Sequence, residues 1–193
     1  DGWVLYVADA EETRKLTPDE EPGGKRVLFA NDWWPTMGMD HVDVVTDGIE
    51  EITPKGIRTK DGVEHAFDII VYSTGFDTTH FLGPMTMKGL AGRESFQGES
   101  WHSAQWNHSV DLKGKRIGVI GNGASAIQFV PEIAKEADSV TIFQRSASWV
   151  LPRPQREFYG WEQAIYRALP WTMNIQRWKI YWFGELLFRT FHT

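Results

Sequence analysis

An α/β fold built around buried parallel strands is predicted by three features of the sequence. First, Asp68-Ile-Ile-Val-Tyr72 is an unbroken apolar run ending on the small residues Ser73-Thr74-Gly75, the pattern of a strand covered on both faces that delivers a turn at its C-terminal end. Second, Arg116-Ile-Gly-Val-Ile120, a helical stretch from Ile127 to Ala137, and Val140-Thr-Ile-Phe143 make a strand, helix, strand unit. Third, Gly121-Asn122-Gly123-Ala124-Ser125-Ala126 sits where that first strand meets the helix. A GxGxxA string carries little by itself, but inside a complete βαβ unit it marks a Rossmann-like dinucleotide-binding domain. The aromatic-rich C-terminal segment beyond it is helical.

Composition narrows the classes. At 193 residues the chain is expected to hold one domain or two small ones, given about 150 residues per domain. Hydrophobic residues make up 41% and charged residues 24%, which excludes intrinsic disorder, collagen and coiled coil. The absence of cysteine removes disulfides, thiolate metal sites and cysteine nucleophiles, and points to a reducing, cytoplasmic setting. No metal site is expected. The net charge of -6 is uneven: residues 1–50 hold twelve acids and four bases, residues 151–193 six bases and three acids. A global negative charge repels phosphate backbones, and the late bases are interspersed with acids and aromatics, so nucleic acid is not an expected partner. With neither a basic leader before an apolar run nor about 18 consecutive apolar residues, a soluble protein without an integral membrane segment is expected.

In chain order, Asp9-Ala-Glu-Glu12 carries a capping residue with Glu three positions later, and Pro18 stops the short helix that follows. A Pro/Gly-rich break precedes a strand over Lys25-Arg26-Val-Leu-Phe29. From Val42 to Tyr72 the pattern is β, with Asp61-Gly62 as a type I′ hairpin pair. Residues 77–114, rich in Gly, His, Trp and Ser without periodicity, read as loops over a site, and the βαβ unit follows. Five of the ten tryptophans fall between Trp149 and Trp182. Ile175, Trp178, Trp182 and Leu186 recur at helical spacing, so Trp171 to Arg189 is predicted as a helix whose aromatic stripe docks on the rest of the protein, with an interfacial membrane helix as the alternative.

The bend assigns its own roles. Gly121 permits a tight turn, Gly123 lets the backbone approach a pyrophosphate at the positive end of a helix, and Ala126 keeps helix and strand close. Where an NAD enzyme places a carboxylate for the ribose 2′-hydroxyl, this chain has Gln144-Arg145-Ser146. An arginine pairs with a 2′-phosphate that a carboxylate would repel, so NADP is the expected cofactor; an exposed strand-end charge is the alternative for Arg145.

No rule of secondary structure demands the intervals of Phe96, Gly98, His102 and Trp106, and a single His is most often a satisfied loop residue. The string Phe96-Gln-Gly98-Glu-Ser-Trp-His102-Ser-Ala-Gln-Trp106 nevertheless resembles the FxGxxxHxxxW fingerprint of Baeyer–Villiger monooxygenases, flavoproteins that use NADPH and O2 to insert oxygen beside a carbonyl. Trp106 favours these over the sister N-oxygenating enzymes, whose pattern ends in Tyr; Asn107 departs from the usual Pro or Asp. The resemblance implies FAD and NADP as cofactors and a small ketone or sulfide as substrate. It implies that Gly23-Gly-Lys25-Arg26 is similar to the family's Gly-Cys-Lys-Arg, with Arg26 as the catalytic cation over the flavin and Lys25 as a second ligand of the 2′-phosphate. Thr74, Gly75 and Phe76 resemble the strand end that lies against the cofactors, and His102 and Trp106 are assigned to shaping an interdomain linker.

By the same resemblance, residues 1–90 are similar to the later part of the NADP domain and the return strand of the FAD domain, 91–150 to the NADP-binding βαβ unit, and 151–193 to a helical insertion. The order is permuted relative to the family, and its N-terminal FAD-binding motif is missing. This reads as a partial chain with its pieces in succession, rather than as a permutant or a natural rearrangement. The competing expectation is a non-catalytic NADP-binding module without a complete flavin site.

Overall fold

The structure, a computed structural model, describes residues 10–20, 27–74, 90–153 and 156–190, with side chains to residue 186 in the last stretch. In chain order the elements are α1 (Ala10–Leu16), β1 (Leu28–Phe29), α2 (Trp33–Met37), β2 (Val42–Val45), β3 (Ile49–Thr53), β4 (Gly56–Thr59), β5 (Glu64–Ala66) and β6 (Ile69–Tyr72). After a single 3-10 turn (Arg93–Ser95) come β7 (Glu99–His102), β8 (Arg116–Ile120), α3 (Ala126–Ile133), β9 (Ser139–Phe143), β10 (Val150–Leu151), α4 (Gly160–Ala168) and α5 (Thr172–Thr190).

Five strands form one wholly parallel sheet in the order β2-β9-β8-β6-β7. Strands from both sides of residue 90 contribute to it. Successive residues of a strand point to opposite faces, and the core divides accordingly. Ile69, Val71, Ile117, Val119, Val140 and Ile142 face one way, where Trp33, Trp34 and Met37 of α2 and Ile127, Val130 and Ile133 of α3 cover them. Ile70, Tyr72, Ile120 and Phe143 face the other way, against Phe67 and against Ile52 and Ile57 of the antiparallel sheet β3-β4-β5. With both faces covered, every residue of β6 is buried, which is why that strand reads as a continuous apolar run.

At the amino edge of this sheet β6 and β8 are clamped together. The Asp68 carboxylate accepts from the backbone N–H of Arg116 at 2.9 Å and from its Nε and Nη2 at 3.1 and 2.9 Å. The guanidinium fork and the amide both favour the charged carboxylate and hold its pKa down at about 2. On the covered face, the His41 ring Nε2 lies 2.8 Å from the Ala134 carbonyl, tying the start of β2 to the end of α3.

Three expectations are corrected. Asp61-Gly62 does not form a type I′ turn. The loop is Lys60-Asp61-Gly62, closed by Gly62 N–H to the Thr59 carbonyl at 2.9 Å and Thr59 N–H to the Val63 carbonyl at 3.0 Å. Type I′ needs positive φ at both central residues, and here only Gly62 has it, at 88°. Asp61 instead accepts from the Thr59 hydroxyl at 2.6 Å and from Val63 N–H at 3.1 Å, which favours a type I turn followed by a left-handed glycine.

The stretch 77–114 is not all loop, because Glu99–His102 is the edge strand β7, held by parallel pairing to β6. Its sequence lacks the apolar signal, since Glu99 lies exposed at the sheet margin while Trp101 and His102 are buried. Finally, the helix predicted over 171–189 forms as α5, but its aromatic stripe is not docked: Trp178 and Trp182 are 60% and 59% exposed, and Ile175 and Leu186 are similarly open. Ile180, Tyr181 and Phe183 lie between them and are exposed too, so the apolar residues encircle the helix and define no one face. Both faces of the parallel sheet are already covered, and α5 lies against α4. Among the described residues no helix is long and apolar enough to cross a membrane.

The depressed Asp68 pKa has a sign. Its contribution to stability is complete above the ordinary carboxylate value of 3.8 and is lost as pH falls through about 2. Asp68→Asn is expected to flatten the acid limb of the urea midpoint plotted against pH between those values; an unchanged limb would show that the clamp contributes nothing.

Candidate functional site

The carboxyl ends of four parallel strands bring together Ser73-Thr74 after β6, His102 at the end of β7, the bend Gly121–Ala126 after β8, and Gln144-Arg145 after β9. In open parallel sheets, ligands sit outside such ends where the chain's connections change direction. Strand β8 is that point: α3 carries the chain to β9 on one side, and β6 flanks β8 on the other.

The bend is shaped by what its neighbours allow. Gly121 has φ 103°, and its N–H donates to the Phe143 carbonyl at 2.9 Å. A Cβ there would stand 2.5 Å from the Ser73 carbonyl oxygen, so only glycine passes. At Gly123 an added Cβ would meet nothing within 4 Å, which leaves backbone open to a ligand. Ala126 is fully buried where α3 begins, while Ala124 and Ser125 are exposed. The first amides of a helix have no carbonyl behind them, and its positive end favours an anion. The Ile127 and Gln128 N–H groups already donate to the Gly123 and Ser125 carbonyls at 3.2 and 3.1 Å, so it is a glycine without a Cβ, open approach and the positive helix end that together fit a pyrophosphate, against the amides before Ile127.

Across the bend, Arg145 is exposed, whereas the preceding Gln144 is buried at 4% exposure. Gln144 Nε2 donates to the Lys15 carbonyl at the end of α1 at 2.7 Å, and its Oε1 accepts from Asn122 Nδ2 at 2.7 Å. The same Asn122 nitrogen donates to the Ser146 carbonyl at 3.0 Å. Gln144 was not among the residues expected to matter, since a Gln-Arg pair at a strand end reads as surface. Its signal was the strand period: Phe143 faces the antiparallel sheet, so the next residue turns to the helical side.

The fingerprint residues are placed as follows. Phe96 packs against the core between the parallel sheet and the antiparallel sheet, and Gly98 passes so close to the Asp68 carbonyl that a Cβ would lie 2.4 Å from it. His102 is buried, and its Nδ1 accepts from Ala104 N–H at 3.1 Å. Trp106 meets Trp101 edge-on, with centroids 5.6 Å apart, and Phe129 of α3 at 5.1 Å. The fingerprint thereby joins β7 to the helix that the bend opens. Asn107 Oδ1 accepts from the Ser109 amide and hydroxyl at 3.1 and 2.6 Å, turning the chain away. Thr74 is exposed at the end of β6. Lys25, Arg26, Gly75 and Phe76 lie outside the described residues. No group of three metal-ligating side chains exists among the described residues.

Comparison with known proteins decides the family. The model of the flavin-binding monooxygenase-like family matches residues 37–176, well over half of the chain. The chain belongs to that family. The match takes in the bend, Arg145 and the fingerprint, and it begins after Lys25-Arg26. Among similar proteins of known sequence, a Baeyer-Villiger monooxygenase from Streptomyces coelicolor is 40% identical over 124 residues, 64% of this chain and 23% of that protein. A Baeyer-Villiger monooxygenase from Pseudomonas aeruginosa is 47% identical over 92 residues, 48% of this chain and 18% of that protein. The FAD-binding monooxygenase ktnD of Aspergillus niger is 54% identical over 81 residues, 42% of this chain and 13% of that protein. This family member thus spans less than a quarter of the length of these relatives. No solved structure matches it.

Gly121→Ala is expected to cost about 2 kcal/mol or more of stability, from the strained φ and the Ser73 carbonyl together, read as a shift of the urea midpoint. A variant as stable as the parent would show that the bend has slack.

Proposed function

We infer that this chain supplies the NADP-binding part of a flavin-dependent monooxygenase that inserts one atom of O2 beside the carbonyl of a small ketone, giving an ester or lactone, or that oxidises a sulfide. The observation that carries this reading is the bend at the switch point of the parallel sheet, followed across the sheet by Arg145 where a carboxylate would mark NAD. The names of the Streptomyces and Pseudomonas relatives support the oxygen-inserting side of the family.

In this reading the amides of the bend before Ile127 hold the pyrophosphate at the positive end of α3, and the exposed guanidinium of Arg145 pairs with the 2′-phosphate, with Lys25 as its second ligand. Thr74, with Gly75 and Phe76 after it in the sequence, is assigned to cofactor contact by the resemblance. Bound NADPH supplies a hydride, and FAD supplies the chemistry that activates O2. Arg26 is the fixed cation for negative charge that develops in the transition state: a guanidinium stays protonated and donates in a fork. His102, with Nδ1 engaged by the Ala104 amide, shapes the connection from β7 rather than taking a proton at that nitrogen.

Titration of the purified chain with NADPH and NADH tests the assignment. Arg145→Ala is expected to weaken NADPH binding at least tenfold, since a charge-assisted hydrogen bond contributes about 1.5–3 kcal/mol, and to leave NADH binding unchanged. Equal and poor binding of both dinucleotides by the parent chain would remove the NADP assignment.

The flavin side is read separately. Yellow protein with flavin absorbance supports the enzyme, and colourless protein that binds NADPH supports a binding module. In a flavin-loaded protein, Arg26→Ala is expected to retain NADPH binding and to lose ester formation; normal oxygenation would take Arg26 out of the mechanism.

A further inference from the structure

Two amide side chains beside the bend do work that the nucleotide reading leaves unexplained. Their orientation is fixed from outside. The Lys15 and Ser146 carbonyls can only accept, so Gln144 must turn Nε2 toward Lys15, and Asn122 must turn Nδ2 toward Ser146. Gln144 Oε1 is then left to accept the remaining N–H of Asn122, and the two nitrogen-to-oxygen distances at Asn122 are 2.7 and 3.0 Å. Both polar atoms of the Gln144 side chain are thereby bonded, as its burial requires. From the other side, the Ser148 hydroxyl reaches back to the Asn122 carbonyl at 3.4 Å.

These bonds bear on Arg145 in a particular way. Asn122 lies inside the bend, between Gly121 and Gly123, and its one nitrogen grips the residue before Arg145 and the residue after it. Arg145 itself is exposed and makes no ion pair among the described residues. Its backbone is pinned on both sides while its guanidinium is left for an external partner. Phe143 continues the pinning on the strand side through the Gly121 N–H.

We propose that Asn122 is a specificity-determining positioning residue that, through Gln144 and the Ser146 carbonyl, fixes the distance between the pyrophosphate bend and Arg145, and so sets the preference for a 2′-phosphorylated dinucleotide. The proposal rests on the reading that Arg145 faces the 2′-phosphate. Asn122 acts through the placement of another residue: a dinucleotide lacking the 2′-phosphate has nothing for Arg145 to grip, and its binding does not depend on this spacing.

The test uses the full chain, with NADPH, NADH and 2′,5′-ADP as probes in fluorescence or calorimetric titrations. Asn122→Ala and the near-isosteric, neutral Gln144→Met are each expected to lower the ratio of NADPH to NADH affinity about five- to tenfold, the scale of one hydrogen bond, the ratio cancelling any loss at the bend that both dinucleotides share. The double variant is expected to lose less than the product of the single losses, because both break the bond between Asn122 and Gln144. Asn122 is partly exposed in a loop, so its variant keeps the test alive if the buried Gln144→Met fails to fold.

An unchanged ratio in Asn122→Ala, or equal losses for NADPH and NADH, overturns the positioning role while a parent chain that prefers NADPH leaves the Arg145 reading intact. A parent chain that binds neither NADPH nor 2′,5′-ADP overturns both.

Discussion

The constraint on which the site depends is the lateral packing of β8 between β6 and β9 with both sheet faces covered. Parallel pairing sets β6 and β8 in register from Ile69 opposite Ile117 to Tyr72 opposite Ile120, and that register carries Ser73 up to Gly121. The contact between the Ser73 carbonyl and the missing Cβ of Gly121 therefore follows from strand pairing several residues below. A slip of one step would exchange every side chain of one face for those of the other, and here the layer of α2 and α3 and the layer of the antiparallel sheet would both have to repack. Two apolar layers make that slip costly, so the bend is held by the core.

Much of this was legible in the sequence because the signals are local and obey simple periods. The apolar runs of β6, β8 and β9 are what strands covered on both faces must look like, and the GxGxxA bend lies where its chemistry requires. Part of what escaped notice depends on partners distant in sequence, and part on local detail that spacing alone does not carry. Strand β7 owes its existence to pairing with β6, and Glu-Ser-Trp-His carries no pattern of its own. The hairpin turn was decided by Thr59 and Asp61 bonding across the loop, which outweighed the preference of the Asp-Gly pair. Gln144 became a buried clasp because α1 brings a carbonyl to it from 129 residues away. On α5, spacing alone suggested one stripe, although apolar residues on every side deny the helix a preferred face.

Strands from before and after residue 90 lie side by side in one sheet. Strand pairing reads only the two backbones that meet, and the path of the chain between them enters through the cost of closing loops, which grows slowly with length. Order along the chain and order across the sheet are thus separate variables. In the sheet, β2 and β9 pair through Val42 opposite Val140, and β6 and β8 through Ile69 opposite Ile117, although each pair spans far-separated stretches of sequence.

The carboxylate clamp on Arg116 lies at one end of the sheet and the glycine bend at the other. From Asp68 to Ser73 the strand climbs five residues, roughly 16 Å at about 3.3 Å per residue, beyond the range over which substitutions ordinarily influence one another. Robustness and ligand choice therefore reside at opposite poles of the same strands. An engineer could stiffen the lower rim without disturbing coenzyme preference, and could retune the upper rim without softening the scaffold.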